Sequence, residues 1–504
     1  MAKVLTTGRP WRVILVFAVP LLVGNVVQQL YQVADAFVVG RTLGVTSLAA
    51  VGAVGGLMFL LLGAAWGMTS GFAIPTAQAF GAGDARGVRR SVATGTILSA
   101  GASVVLTVLA LVLVDPALRW LHTPAELVPE ARTFALVCFA GSAVTVFYNF
   151  LASMIRAIGD SRTPLVFLTV SCVLNIVLVF ALVRGLGTGV GGAALATVIS
   201  QGVSVLLCLE YVRRRVPVLH VRREDWRITR HDAVAHLRLG VPMGFQASII
   251  AIGTLAVQLR LNELGSDAVA AYTTAARVDG LAIALLSSLG LAISTFVAQN
   301  LGGQRPDRIR RGVLQALGMS LAGAVALAVV LITSGAWMIE LFVGPGEEQV
   351  VELAVLMLTV NGVSYTVLAA LFVLRGALQG LGQAFVPTMT GVVELVMRVG
   401  AAVVLGAAFG YPGVVWSNPL AWIGAIVLLI PAYVRAHRAL DGVAAATATP
   451  PVATVPTLVE GPSEGSVVLE ALVPHPRVSA DDEPVDAIET TERDDGDART
   501  PVTR

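Results

Sequence analysis

The chain is 504 residues long, 56% hydrophobic and only 13% charged, about half the ~25% charged share of an ordinary soluble protein. That composition excludes a string of soluble domains. The formal net charge of +2 marks no nucleic-acid binder, and none is expected as a partner.

The apolar residues fall in blocks close to the ~20 that carry a helix across a bilayer. In chain order, spans are predicted at 13–39, 47–73, 91–114, 128–151, 164–184, 189–211, 239–262, 269–298, 311–336, 350–374, 386–409 and 413–436. The expected fold is therefore an all-α integral membrane protein with twelve transmembrane helices, whose first partner is the lipid bilayer. Lys3, Arg9 and Arg12 before the first block imitate a signal peptide. The block is too long and too polar for one, so it is read as the first span.

Arginines set the orientation. Arg86, Arg89, Arg90, Arg156, Arg162, Arg213 to Arg215, Arg222, Arg223, Arg305, Arg308 and Arg310 all lie in loops after even-numbered spans, and the other loops are nearly bare. Positive loops stay inside, which predicts a multi-pass membrane protein with both termini cytoplasmic.

The two halves repeat at a spacing of about 221 residues. Leu43-Gly44, Ala77-Gln78 and Gly81 return as Leu264-Gly265, Ala298-Gln299 and Gly302, while Gly159 and Pro164 return as Gly382 and Pro387. Six spans per half keep the two repeats parallel. The expected division is an N-lobe over 1–211, a cytoplasmic linker over 212–238 and a C-lobe over 239–438. A proline-rich, acidic tail over 439–504 is expected to be disordered. Two like lobes suit a transporter that rocks about a central site, and a monomer suffices for that.

A carboxylate near mid-bilayer costs about 3 kcal/mol on insertion scales, so each one needs a reason. In the first span Asn25, Gln28, Gln32 and Asp35 sit at i, i+3, i+7 and i+10, within one helical stripe. Such a stripe should face a wet cleft; the competing reading is that Asp35 pins a helix contact. Ile250 to Ala256 in the seventh span are almost wholly apolar, so the N-lobe is expected to hold the coupling site. Asn175, Thr197, Ser200 and Gln201 gather in the fifth and sixth spans, with Thr197 and Gln201 one turn apart and able to complete a pocket with Asp35. Glu394 and Arg398 meet at i, i+4, either as an internal pair or as a contact in the substrate cleft. Asp279, close to Arg277, is expected either near a helix end or as a contact in the substrate cleft. All six histidines (122, 220, 231, 236, 437 and 475) are expected in loops or the tail. No metal-ligand spacing and no Ser–His arrangement appears within a span, so no metal, no cofactor and no enzyme are expected.

The stretches Pro20 to Asn25, Gln29 to Asp35, Val39 to Gly44, Ala77 to Asp84, Ile155 to Asp160 and Ala298 to Gly302, in that order and partly duplicated, resemble the multidrug and toxic compound extrusion (MATE) family, its prokaryotic damage-inducible branch above all. The resemblance covers residues 10–438. It implies two facing six-helix bundles and export of amphipathic or cationic small molecules in exchange for H⁺ or Na⁺. It also implies a cation-coupling site of Asp35, Asn175 and Thr197. A second acid of that site would fall on Val179, and the acids of other relatives' C-lobes on Ile250 and Leu368. A lone carboxylate favours H⁺, since Na⁺ wants several hard oxygens. The alternative cargo is a lipid-linked or polysaccharide precursor, moved by a flippase.

Overall fold

A computed structural model describes residues 4–120, 123–343 and 346–448, with side chains described throughout that set except at 32, 45 and 441–448. Among them there is no strand. The helices are α1 Pro10–Leu43, α2 Val45–Gly81, α3 Ala85–Trp120, α4 Val128–Ala140, α5 Ser142–Ala157, α6 Arg162–Val179, α7 Gly189–Arg215, α8 Arg230–Leu264, α9 Ser266–Gly302, α10 Pro306–Val343, α11 Glu348–Gly380, α12 Phe385–Phe409, α13 Tyr411–Val415 and α14 Ser417–Ala448. Eleven helices or helix runs are long and apolar enough to span a bilayer, and α4 with α5 makes a twelfth as a bent pair. At 1.5 Å per residue, the 34 residues of α1 reach about 50 Å. The helices therefore tilt or project beyond a ~30 Å hydrocarbon core.

The predicted fourth span is not a single rod. α4 and α5 meet at a 47° bend around Gly141, where an added Cβ would lie 2.3 Å from Val198 Cγ2. The close approach of α7 forces the break at a residue without a side chain. Beyond α6 the chain runs on as a π-helical turn, Phe180–Gly185. At the other end, α14 continues to Ala448, past the expected start of the tail at 439, because the Ala-rich stretch 444–448 favours helix. The expected disorder of 449–504 lies outside the described residues.

The duplication is visible in the backbone. Gly44 (φ 94°) and Gly265 (φ 105°) each make a one-residue corner between paired helices. Gly159 (φ 85°) and Gly382 (φ 82°) recur in the same way. These φ values lie where a Cβ is disfavoured, which explains why glycine stands at both copies.

The halves pack through small residues, as helices in lipid do. α2 runs along α8, where a Cβ on Gly67 would lie 2.4 Å from Met243 O and one on Gly71 2.6 Å from Gly240 Cα. At the arginine-bearing end, α2 crosses α9 more closely still. A Cβ on Gly81 would lie 1.9 Å from Gln299 O, and one on Gly302 1.9 Å from Gln78 O. The duplicated Ala-Gln-x-x-Gly motif thus meets its own copy. Gln78 Nε2 donates to Gly380 O at 3.1 Å, and Gln299 Nε2 to Ala157 O at 2.7 Å. The N-terminal segment lies over this crossing: Leu5 N donates to Gln299 Oε1 at 2.8 Å, and Arg308 donates to the carbonyls of Leu5, Thr7 and Gly8.

The stretch between the halves is clasped to the first half. Arg89 pairs with Asp225 at 3.1 Å and Arg90 with Asp232 at 2.5 Å. His236, expected in a loop, is instead a buried residue of α8, 2.8 Å from Ser91 Oγ. Its Nδ1 lies 2.8 Å from Asp232 O. α8 begins at Arg230, well before the first apolar block residue at 239, because Thr229 and Asp232 form a capping box that starts it early. His437 likewise belongs to α14 and packs against Tyr433.

Candidate functional site

Asp35 sits in the C-terminal half of α1, away from the arginine-bearing end, partly buried. Its Oδ1 is enclosed and accepts no hydrogen bond. One turn back, Tyr31 brings its hydroxyl close to Asp35, Thr197 and Ser200, and that oxygen too is buried without a hydrogen bond. One turn forward the surroundings become apolar: Val38 and Val39 pack with Val179, Val183, Ala193 and Ala196. Val179 is fully buried there, so the place of a second acid is taken by a packed aliphatic side chain.

Across from α1, Asn175 of α6 is fully buried and donates from Nδ2 to Thr197 Oγ1 of α7 at 3.2 Å. Thr197 in turn donates to Ala193 O at 3.3 Å. The Oδ1 of Asn175 is a second enclosed oxygen with no partner. Asn175 and Thr197 are thus brought together as expected, while no hydrogen bond joins either to Asp35. Gln201 turns away: its Oε1 accepts from Thr145 of α5.

The polar stripe of α1 divides. Asn25 does not line a pocket of the first half; it reaches across to α9, donating to Ser288 Oγ at 2.9 Å and Ala284 O at 3.4 Å. Gln28 is exposed. The side chain of Gln32 lies outside the described residues. Gln29, off the predicted stripe, also approaches α9, beside Gly280.

The second half holds its own buried polar groups. Asp279 lies well inside α9 and is only 4% exposed. Its partner is the hydroxyl of Tyr365 on α11, not the exposed Arg277. Asn361, one turn before Tyr365, is fully buried with both amide atoms unpartnered. Glu394 does not pair with Arg398 as the i, i+4 spacing suggested. It pairs with Arg375 of α11, which also donates to Thr390 Oγ1 at 3.2 Å. A cross-helix partner fixes the carboxylate in the interior, whereas a same-helix partner would turn both groups along one face. Arg398 is left buried with Nε unpartnered, beside Gly253, where an added Cβ would lie 3.1 Å from Nη1. Tyr272 lies within the field of both Arg398 and Asp279.

Tyr31, Ser288, Asn361, Tyr365 and Arg375 were missed from sequence. Two carried a usable signal, since Tyr31 stands four residues before Asp35 and Asn361 four before Tyr365, the spacing that stacks side chains on one face. Among the described residues no cluster of three His, Cys, Asp or Glu side chains could hold a metal.

A family model described as MatE matches residues 20–181 and 242–404, once in each repeat. The chain belongs to the MATE family. It is 30% identical over 389 residues to the probable multidrug resistance protein YoeA of Bacillus subtilis, covering 76% of this chain and 84% of that protein. It is 25% identical over 429 residues to the probable multidrug resistance protein NorM of Thermotoga maritima, covering 82% and 88%. A solved MATE structure in complex with MaL6 superposes with a TM-score of 0.81 at 25% identity, covering 87% of this chain and 98% of that one. As a MATE protein the chain is a multi-pass membrane transporter, and the twelve-span fold expected from the sequence is the one found. Both of these bacterial relatives are named as probable multidrug resistance proteins.

Proposed function

We propose that this MATE protein exports amphipathic or cationic small molecules across the bacterial cytoplasmic membrane by alternating access, in exchange for H⁺ taken up at Asp35. The orientation follows the arginines, with the crossing of α2 and α9 at the cytoplasmic end. The supporting observation is the enclosed Asp35 Oδ1 without a partner, bordered by Tyr31 on one side and by the Val38, Val39 and Val179 cluster on the other. An unpaired charge in such a place is costly to keep, and a proton removes it. Protonation would then change what α1 can contact, loosening substrate in the first half and tipping the halves about their glycine-lined seam.

A second reading has its own observation. The unpartnered Oδ1 of Asn175, with Asp35 and Thr197, offers oxygens to Na⁺. Export of a fluorescent cationic drug into everted vesicles under an imposed pH gradient tests the first reading. Wild type accumulates the drug, and Asp35→Asn falls to the level of vesicles without the protein. Equal accumulation by Asp35→Asn would remove Asp35 from the coupling step. Transport of a lipid-linked precursor with no drug accumulation would favour the flippase.

A further inference from the structure

At the arginine-bearing end, just inside the crossing of Gly81 and Gly302, a small cavity lies between the halves. Its walls include Ser70 of α2, Ser153 and Arg156 of α5, Ser294 and Thr295 of α9, and Gln379 of α11. Arg156 and Gln379 occupy corresponding places in the two repeats, four residues before Asp160 and Gln383. The cavity therefore lies where the repeats face each other, with a guanidinium on one side and a neutral amide on the other.

Among the described residues the charge has no counter-ion. Arg156 Nη2 donates to Ser153 Oγ at 2.8 Å, and among the described residues no carboxylate pairs with it. The titratable groups that face it are Tyr148 and Cys208, neither a carboxylate. Ser70 is only 7% exposed, and its Oγ has no hydrogen-bond partner. Ser294 is 6% exposed. Gln379 Nε2 donates to Gln246 Oε1 at 3.2 Å, and Gln246 Nε2 donates to Pro387 O at 3.1 Å, so the amide opposite Arg156 is braced. A half-buried guanidinium beside the unpartnered hydroxyl of Ser70 is an arrangement that a small anion completes.

Size selects the ligand. The space open to the centres of water-sized spheres is about 30 Å³, enough for about two waters at 10–15 Å³ each. That excludes a drug, a nucleotide or a phospholipid headgroup. We propose that this cavity binds a chloride ion between Arg156 and Ser70 of the first half and Ser294 of the second. Because its walls come from both halves, the ion stabilises the arrangement in which this end is closed, and opening releases it.

The test uses the purified full chain. Chloride is titrated against gluconate at fixed Na⁺ and ionic strength while the thermal unfolding midpoint is followed, and crystals are grown in bromide. The expected result is a saturable rise of the wild-type midpoint, a flat response for Arg156→Gln, and an anomalous bromide peak beside Arg156. If Arg156→Gln does not fold, the double variant Ser70→Ala/Ser294→Ala should raise the half-saturating chloride concentration at least about tenfold, the loss expected for hydrogen bonds to a charged group. A wild-type midpoint indifferent to chloride, the same rise in Arg156→Gln as in wild type, or a cavity empty of bromide would overturn the proposal. A response to formate without one to chloride would overturn it too, replacing the halide by a carboxylate.

Discussion

Replacing Gly81 by alanine should open the arginine-bearing end of the transporter. The new Cβ would fall 1.9 Å from Gln299 O, against an ordinary contact of at least 3.4 Å, so α2 and α9 must part by about 1.5 Å (3.4 − 1.9). The obstacle is a backbone carbonyl and not a flexible side-chain tip, so it cannot turn aside. Overpacking of this kind costs about 1–3 kcal/mol, borne only by the conformation in which the two helices cross. An equilibrium between closed and open forms would shift by about 5- to 150-fold. The assay is maleimide labelling of Thr295→Cys, which lines the cavity behind the crossing, with Cys138, Cys172 and Cys208 replaced by alanine. Adding Gly81→Ala should speed labelling by a factor in that range, and Gly302→Ala, which meets Gln78 O at the same 1.9 Å, should do likewise. Gly101→Ala, with nothing within 4 Å of its Cβ, should leave the rate unchanged. Unaltered labelling in a folded Gly81→Ala protein would mean that this crossing does not hold the end shut.

Two further predictions concern stability. Arg375→Met leaves Glu394 buried without its partner and should cost about 3–5 kcal/mol, while Arg375→Met/Glu394→Leu recovers most of it; the thermal midpoints of the three proteins check this. The loop carboxyl of Asp160 feels burial, which would raise its pKa, but hydrogen bonds from Thr163 and Tyr211 outweigh this and hold it below the usual carboxylate range. Its stabilising contribution is therefore present above the unfolded value of ~3.9 and is lost as pH falls through the lower folded value. Asp160→Asn should lower the midpoint at neutral pH, with the gap to wild type narrowing in acid; a gap independent of pH would contradict it.

The scaffold was legible because lipid makes hydropathy a direct readout of helices, and the repeat was legible because corners such as Gly44 and Gly265 tolerate only glycine. The bend at Gly141 was not, since it depends on Val198, 57 residues away in sequence. Partner choice was hidden for the same reason. Helical spacing placed Glu394 next to Arg398, and nearness in sequence placed Asp279 beside Arg277, but the partners are Arg375 and Tyr365 on α11. Asn25 fitted the stripe by angle, yet α9 supplies Ser288 opposite it. The nearness of Asn175 to Thr197 came from family resemblance, because nothing in their spacing announces a contact between α6 and α7.

Proton exchange at Asp35 is tested most directly in proteoliposomes carrying independently imposed H⁺ and Na⁺ gradients, with efflux of a cationic drug as the readout. A pH gradient alone should drive efflux in wild type but not in Asp35→Asn, and a Na⁺ gradient at uniform pH should drive it in neither. Efflux driven by Na⁺ alone, or by a pH gradient through Asp35→Asn, would contradict this account.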